Sequence, residues 1–255
     1  MWEWACARAG AGRAILATLD HGARVRVDLA DPMCRFPLAY AGMGEPALTA
    51  ALRATLQPGD TCLDVGANLG YYSLLACQRV GPPGQVFSFE PNPSVAATLR
   101  ANLALNEFAQ ARVIESAVGR ASGQTVMHIP VRGQSGLGTL SAETAAELGS
   151  AMREVPIAVT SLDDFLAATP LASIRAMKVD AEGFELEILA GARELLRRFH
   201  PLLFLEVGAD TGPPAAVTLR EQGYEVARLG PGGALVTCAP ACAWTTETLC
   251  GVPVA

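Results

Sequence analysis

Three acidic residues in the second half of the chain, Asp180, Glu182 and Glu206, have the chemistry and the placement of a proton-transfer site. Asp180 and Glu182 follow the apolar run 174–179, and Glu206 lies at the end of 201–207 (PLLFLEV), both of strand length. In an open α/β sheet the carboxyl ends of neighbouring strands face one crevice, so these carboxylates could take a proton from an acceptor group bound there. The same oxygens could ligate Mg2+, and three carboxylates without a cation would repel one another; even so, these residues alone assign no metal. Structural roles stand beside the chemical ones. Asp180 can fix a turn, Glu182 can cap the next helix, and Glu206 can accept a structural hydrogen bond. His128 is a lesser candidate for the proton acceptor, whereas His200 starts the 201–207 strand and so belongs to the opposite edge.

The second constellation is a glycine-rich turn. Residues 60–73 read DTCLDVGANLGYYS, a short buried strand closed by Asp64, a turn with Gly66, Asn68 and Gly70 at alternate positions, and a helix repeating at Leu69, Tyr72, Ser73, Ala76, Cys77 and Val80. Glycine, and asparagine to a lesser degree, tolerates the positive φ such a turn needs beside a ligand. Residues 85–90 (QVFSFE) form the next strand. Glu90 closes it about twenty residues after Gly70, where a carboxylate can accept hydrogen bonds from both hydroxyls of a ribose. A dinucleotide fingerprint is excluded, because Asn68 and Tyr71 stand where its second and third glycines belong, and no Gly-Lys-Ser or Gly-Lys-Thr of a phosphate loop occurs. The pattern instead resembles the S-adenosylmethionine site of class I methyltransferases. That resemblance assigns cofactor binding to Asp64, Gly66, Ala67, Asn68, Gly70 and Tyr71, to Glu90, Pro91 and Asn92, and to Asp180. The end of a third strand, 111–118, adds Ser116 and Ala117 beside the adenine.

These residues need a scaffold, and the rest of the chain reads as one. Residues 13–19 and 24–29 are strand-like around Asp20-His21-Gly22-Ala23, and 46–56 is helical until Pro58-Gly59, giving a small N-terminal β/α cap over residues 1–57. Residues 58–255 then carry the cofactor domain. Helices are expected over 94–106, from Ser161, over 185–199 with a break at Gly191, and over 215–222; strands are expected at 125–131, 155–160, 174–179 and 201–207. A hairpin of 224–229 with 234–237 around Gly230-Pro231-Gly232-Gly233 closes the sheet. Residues 132–154, rich in Gly and Ser, read as a lid or as a plain insertion. The expected fold is α/β: a Rossmann-like class I methyltransferase sheet, mostly parallel, with a closing antiparallel hairpin.

Composition narrows the partners. At 255 residues, 51% hydrophobic and 17% charged, the chain folds around a substantial core, and a net charge of −6 argues against the phosphate neutralisation that nucleic-acid binding needs. No run approaches the ~20 apolar residues of a membrane span, and the N-terminus lacks the features of a signal peptide, so a cytoplasmic location without membrane partners is expected. Seven cysteines make an odd, scattered set. Cys238, Cys242 and Cys250 read as thiols rather than a metal site, having no histidine nearby in sequence.

DVGANLGYYS, FEPNP, SLDDF, KVDAEGFELEILAGA and PLLFLEV, in that order over residues 59–207, resemble the FkbM family of S-adenosylmethionine-dependent methyltransferases. The resemblance implies methyl transfer, usually to a hydroxyl oxygen of a small molecule, a sugar or a secondary metabolite, with a small-molecule or glycoside acceptor as partner. It does not make Mg2+ obligatory. N-methylation, or a cofactor-binding protein without catalysis, remain the alternatives.

Overall fold

The computed structural model describes residues 14–28, 45–131, 138–140, 145–146, 151–181, 183–237 and 247–254. An antiparallel hairpin, β1 (Ala14–Thr18) and β2 (Arg24–Asp28), and helix α1 (Pro46–Thr55) precede the main sheet. Five strands follow the parallel pattern expected of the cofactor domain: β3 (Thr61–Val65), β4 (Gln85–Phe89), β5 (Ala111–Ile114), β9 (Ala176–Val179) and β10 (Leu202–Val207), arranged as β10-β9-β3-β4-β5. Between β3 and β5 the chain crosses through α2 (Tyr71–Val80) and α3 (Pro93–Leu105). Every residue of β3 is buried, as a central parallel strand covered on both faces requires.

Two expectations about strands are corrected. The third strand does not run through to Val118. The Ser116 N–H donates to the Ile114 carbonyl at 3.0 Å and the Ser116 hydroxyl to the Ala117 carbonyl at 2.8 Å. That tight turn carries β6 (Ala117–Val118) off the main sheet, where it pairs in parallel with β8 (Met152–Thr160). β8 in turn pairs antiparallel with β7 (Gly123–Pro130), so these strands build a separate three-stranded sheet. The second correction concerns closure. The hairpin of β11 (Tyr224–Leu229) and β12 (Leu235–Thr237) forms, yet it does not abut β10, because β13 (Glu247–Pro253) lies between, antiparallel to both β10 and β11. The reason is burial. The neighbour of a strand as apolar as β10 must hide both faces, which β13 does with Leu249 and Cys250, whereas all of β12 is exposed.

Alternation along the strands builds two cores, one on each face. Cys62, Ala176 and Phe204 point to a layer of α1, α2, α3 and the N-terminal hairpin, filled by Leu52, Leu74, Leu99 and Val25. Leu63, Met177 and Leu205 point to the other layer. It consists of α4 (Leu162–Ala168), α5 (Glu185–Ala190), α6 (Arg193–Phe199) and α7 (Gly212–Glu221). The expected break at Gly191 separates α5 from α6. Its cause is packing: a Cβ on Gly191 would overlap the carbonyl oxygen of Gly119, where the second sheet leaves the first.

Candidate functional site

The turn after β3 holds Gly66, Asn68 and Gly70 at φ of 75°, 50° and 99°. Its Gly66 and Ala67 N–H groups both donate to the Phe89 carbonyl at 3.0 Å, tying the turn to the end of β4. Gly66 is demanded by the chain itself: besides its positive φ, a Cβ there would run into the carbonyl oxygen of Asp180 at the end of β9. The carboxyl ends of β3, β4 and β9 therefore meet around one residue that has no room for a side chain.

Glu90 stands just past β4 and is 6% exposed. Its Oε2 accepts from the Asn68 N–H at 3.0 Å and its Oε1 from the Asn92 N–H at 2.9 Å. Burial pushes its carboxyl up to about 7; the two backbone bonds and the nearby Lys178 only partly oppose that rise. The carboxylate is thus fixed at the rim of a cleft with acceptor capacity left over. The cleft is lined by Gly66, Asn68, Glu90, Pro91, Ser116, Ala117 and Asp180, with apolar walls from Phe89, Val118, Met127, Leu140 and Phe184. Met127 and Leu140 come from the separate sheet and the stretch bridged to it, for the Thr139 and His128 backbones exchange hydrogen bonds of 2.8 and 3.0 Å. The described part of 132–154 therefore closes one wall of the cleft; 132–137, 141–144 and 147–150 lie outside the described residues.

Beneath the cleft is a group that the sequence reading missed. Lys178 interrupts the apolar β9 and is 4% exposed. Its Nζ donates to the Gly66 carbonyl at 3.0 Å and pairs with Asp180 at 3.2 Å and with Asp64 at 3.5 Å. Burial by itself would lower this lysine, but the Asp180 and Asp64 carboxylates outweigh it and hold the ammonium above its ordinary value. The Nζ also lies 5.4 Å from the centre of the Tyr72 ring. A lysine inside a run as apolar as Ala-Met-Lys-Val was the available signal, since a charge there survives only when paired. Glu45, the N-cap of α1, was missed as well: its N–H donates to the Tyr72 hydroxyl at 3.1 Å and its Oε2 accepts from Thr248 at 3.3 Å. Burial first, then the charge of Asp180, raises the Glu45 carboxyl.

The remaining predicted residues separate by position. Asp64 is buried under the turn, accepts from Ser73 at 2.6 Å and does not line the cleft. Ala67 and Gly70 belong to the turn but do not line the cleft. Tyr71 is corrected: its hydroxyl donates to Asp20 at 2.8 Å, so the side chain faces the N-terminal hairpin and not the cleft. Asn92 likewise spends its side chain capping α3, accepting from Ser94 at 3.1 Å, while its N–H steadies Glu90. Glu206 lines a neighbouring recess that it shares with Asp180. Glu182 lies outside the described residues, as do Cys238 and Cys242; Cys250 is buried in β13. His128 alternates away from Met127 and Ile129, which are packed inward, and His200 ends α6 at the opposite edge from the site.

A sheet of this order, with a glycine turn after its first parallel strand and an acid after its second, is that of a class I methyltransferase. Residues 64–226 match the family described as the methyltransferase FkbM domain, and the chain belongs to that family of S-adenosylmethionine-dependent methyltransferases. It is 32% identical over 163 residues to the 31-O-demethyl-FK506 methyltransferase FkbM of Streptomyces tacrolimicus, covering 54% of this chain and 62% of that one. It is 29% identical over 152 residues to the 2-O-methyltransferase NoeI of Sinorhizobium fredii, covering 56% and 61%. The matched region thus spans about three-fifths of these curated relatives. Among solved structures, methyltransferase FkbM from Methylobacillus flagellatus superposes with a TM-score of 0.51 at 18% identity, over 84% of this chain and 50% of that one, a likeness of fold.

Proposed function

We propose that the protein methylates a hydroxyl oxygen of a small molecule, sugar or glycoside in the cytoplasm, using S-adenosylmethionine. The observation that carries this reading is the position of Asp180. It lines both the cleft rimmed by Glu90 and the recess that holds Glu206, so one acidic residue borders the proposed cofactor site and the proposed acceptor site. The residues suit the cofactor: Glu90 is a buried acceptor for ribose hydroxyls, Phe89, Met127 and Leu140 offer an apolar slot for a base, and Gly66 with Asn68 presents backbone to the amino-acid end. When bound, the cofactor supplies an electrophilic methyl group on its sulfonium. The chain's own work is then to hold the acceptor oxygen at a near-attack distance of ~3 Å, exclude water and remove the hydroxyl proton.

Asp180 is the proposed proton acceptor, with its carboxylate oriented by Lys178 Nζ at 3.2 Å; Glu206, in the adjoining recess, and Glu182, a candidate from the sequence alone, are the alternates. The activities of two relatives, a 31-O-demethyl-FK506 methyltransferase and a 2-O-methyltransferase, support oxygen as the acceptor atom. The acidic balance of −6 supports a small partner over nucleic acid, and among the described residues no helix is long and apolar enough to cross a membrane. The test is S-adenosylhomocysteine formation by purified enzyme with hydroxyl acceptors and their amine analogues, run with and without EDTA. Turnover of the alcohols that survives chelation supports the carboxylate base; loss restored by Mg2+ would replace it with metal assistance.

A further inference from the structure

The recess beside the cleft is lined by four carboxylates from four segments of the chain. Asp180 follows β9, Glu185 opens α5, Glu206 lies in β10, and Asp210 sits in the turn before α7. Among the described residues no lysine or arginine lines it. Lys178 lies below, where it pairs with Asp180 and Asp64, donates to the Gly66 carbonyl and also feels the charge of Glu206. The Gly208 N–H, a donor on the rim, is taken by Thr211 Oγ1 at 3.0 Å. Glu185 supplies an independent observation. It is 2% exposed, its Oε1 accepts from the Gly183 N–H at 2.9 Å, and its buried Oε2 has no hydrogen-bond partner among the described residues. A buried carboxylate oxygen without a donor is costly, and the recess to which Glu185 contributes carries three further carboxylates, from Asp180, Glu206 and Asp210.

We propose that this recess binds the acceptor through a primary ammonium group, so that the substrate class is an amino alcohol, an amino sugar being its ring-sized form. The inference rests on the methyltransferase reading above and names the acceptor for that site. An ammonium brings three donors and a positive charge to a wall of carboxylates, and bonds between ionised partners are about twice as strong as neutral ones. A neutral diol supplies donors without offsetting the charge, and an acidic acceptor adds to the repulsion. The ammonium is a handle and not the methylated atom, because a protonated amine has no lone pair to attack the methyl carbon. Asp180, shared with the cofactor cleft, then faces the neighbouring hydroxyl.

The probes are ethanolamine, ethylene glycol and glycolate, matched in size and differing in the charge of one end. Each is titrated by ligand-observed NMR into the protein saturated with S-adenosylhomocysteine, whose own binding is measured first by calorimetry. Ethanolamine should bind at least about tenfold more tightly than ethylene glycol, and glycolate should not compete. Glu185→Gln, which keeps the size and the bond to Gly183, should reduce that preference about fivefold or more with S-adenosylhomocysteine affinity unchanged. Asp210→Asn, at an exposed position that does not threaten the fold, should act in the same direction. Equal binding of ethylene glycol, preferred binding of glycolate, or no ethanolamine binding up to about 100 mM would overturn the assignment. Displacement of ethanolamine by Mg2+ below about 1 mM would also overturn it, giving the recess to a metal. Failure to bind S-adenosylhomocysteine would instead remove the methyltransferase reading, and this inference with it.

Discussion

Glu90 and Asp180 carry opposite demands. Glu90 has to stay ionised while buried, and burial has moved its carboxyl up to about 7. Because ribose hydroxyls donate to the charged form, S-adenosylmethionine affinity should rise as pH increases through that value, and calorimetry at pH 6 and pH 8 measures the difference. Stability runs the other way. A carboxyl whose folded value lies above its unfolded one contributes stability that is complete below the unfolded value and lost as pH rises through about 7. Glu90→Gln should flatten that loss in a denaturation series, and Glu90→Ala should weaken cofactor binding by about 2–3 kcal/mol. Asp180 works on the substrate. Asp180→Asn should hold cofactor affinity within a few-fold while kcat falls by about 10²–10⁴, read from S-adenosylhomocysteine release. A variant with unchanged kcat would move the base to Glu206 or Glu182. Lys178 belongs to both demands, and Lys178→Met should destabilise the fold by about 3–5 kcal/mol in urea, since Asp64 would be left buried without its cation.

At the scale of elements, the site depends on places where regular structure stops. The turn at Ser116 diverts the chain from β5 into β6, and the sheet so formed brings Met127 to the cleft. Gly191 lets the break between α5 and α6 pack on Gly119, at the root of the same sheet. Gly191→Ala should therefore cost about 1–3 kcal/mol of unfolding free energy, more than an exposed Gly-to-Ala change would. The effect should extend to cofactor binding, because the wall holding Met127 hangs from that contact; unchanged binding in a destabilised variant would show that the second sheet is independent of the cleft. Helix starts are more local. Ser161 Oγ accepts from the Asp164 N–H at 3.0 Å, so Ser161→Ala should cost about 1 kcal/mol without touching the site.

On the scale of the whole molecule, the described part of the N-terminal extension packs into one of the two cores. Leu48, Leu52 and Leu56 of α1 and its end pack with Leu74 and Leu99 of α2 and α3, and Glu45 at the head of α1 reaches Tyr72 and Thr248. Leu52→Ala, at a position 1% exposed, should lower stability by about 2–5 kcal/mol in a single cooperative transition. Two separated transitions would instead mark the extension as its own unit.

Most of what concerns contiguous residues was legible without a fold. The strand, turn and helix around Gly66, the acid ending the second strand, the break at Gly191 and the hairpin around Gly22 all follow from local periodicity and from backbone conformations that few residue types adopt. That Gly66 and Asn68 line one cleft with Glu90 and Pro91 follows from the same local order of strand, turn and strand. What needed the tertiary structure were relations between residues far apart. Lys178 joins Asp64, Gly66 and Asp180 across two strands. β13 slips between β10 and a hairpin that had looked complete, and Glu45 arrives at the edge of the site from the start of the chain. Tyr71 shows the limit most directly: its place in the turn motif marked it for the cofactor, while its ring belongs to the face of α2 that packs on the N-terminal hairpin. Motif position sets where a backbone goes. Which way a side chain points, and which charge lies under it, is decided by the layers packed on either face of the sheet, and those contacts are long-range.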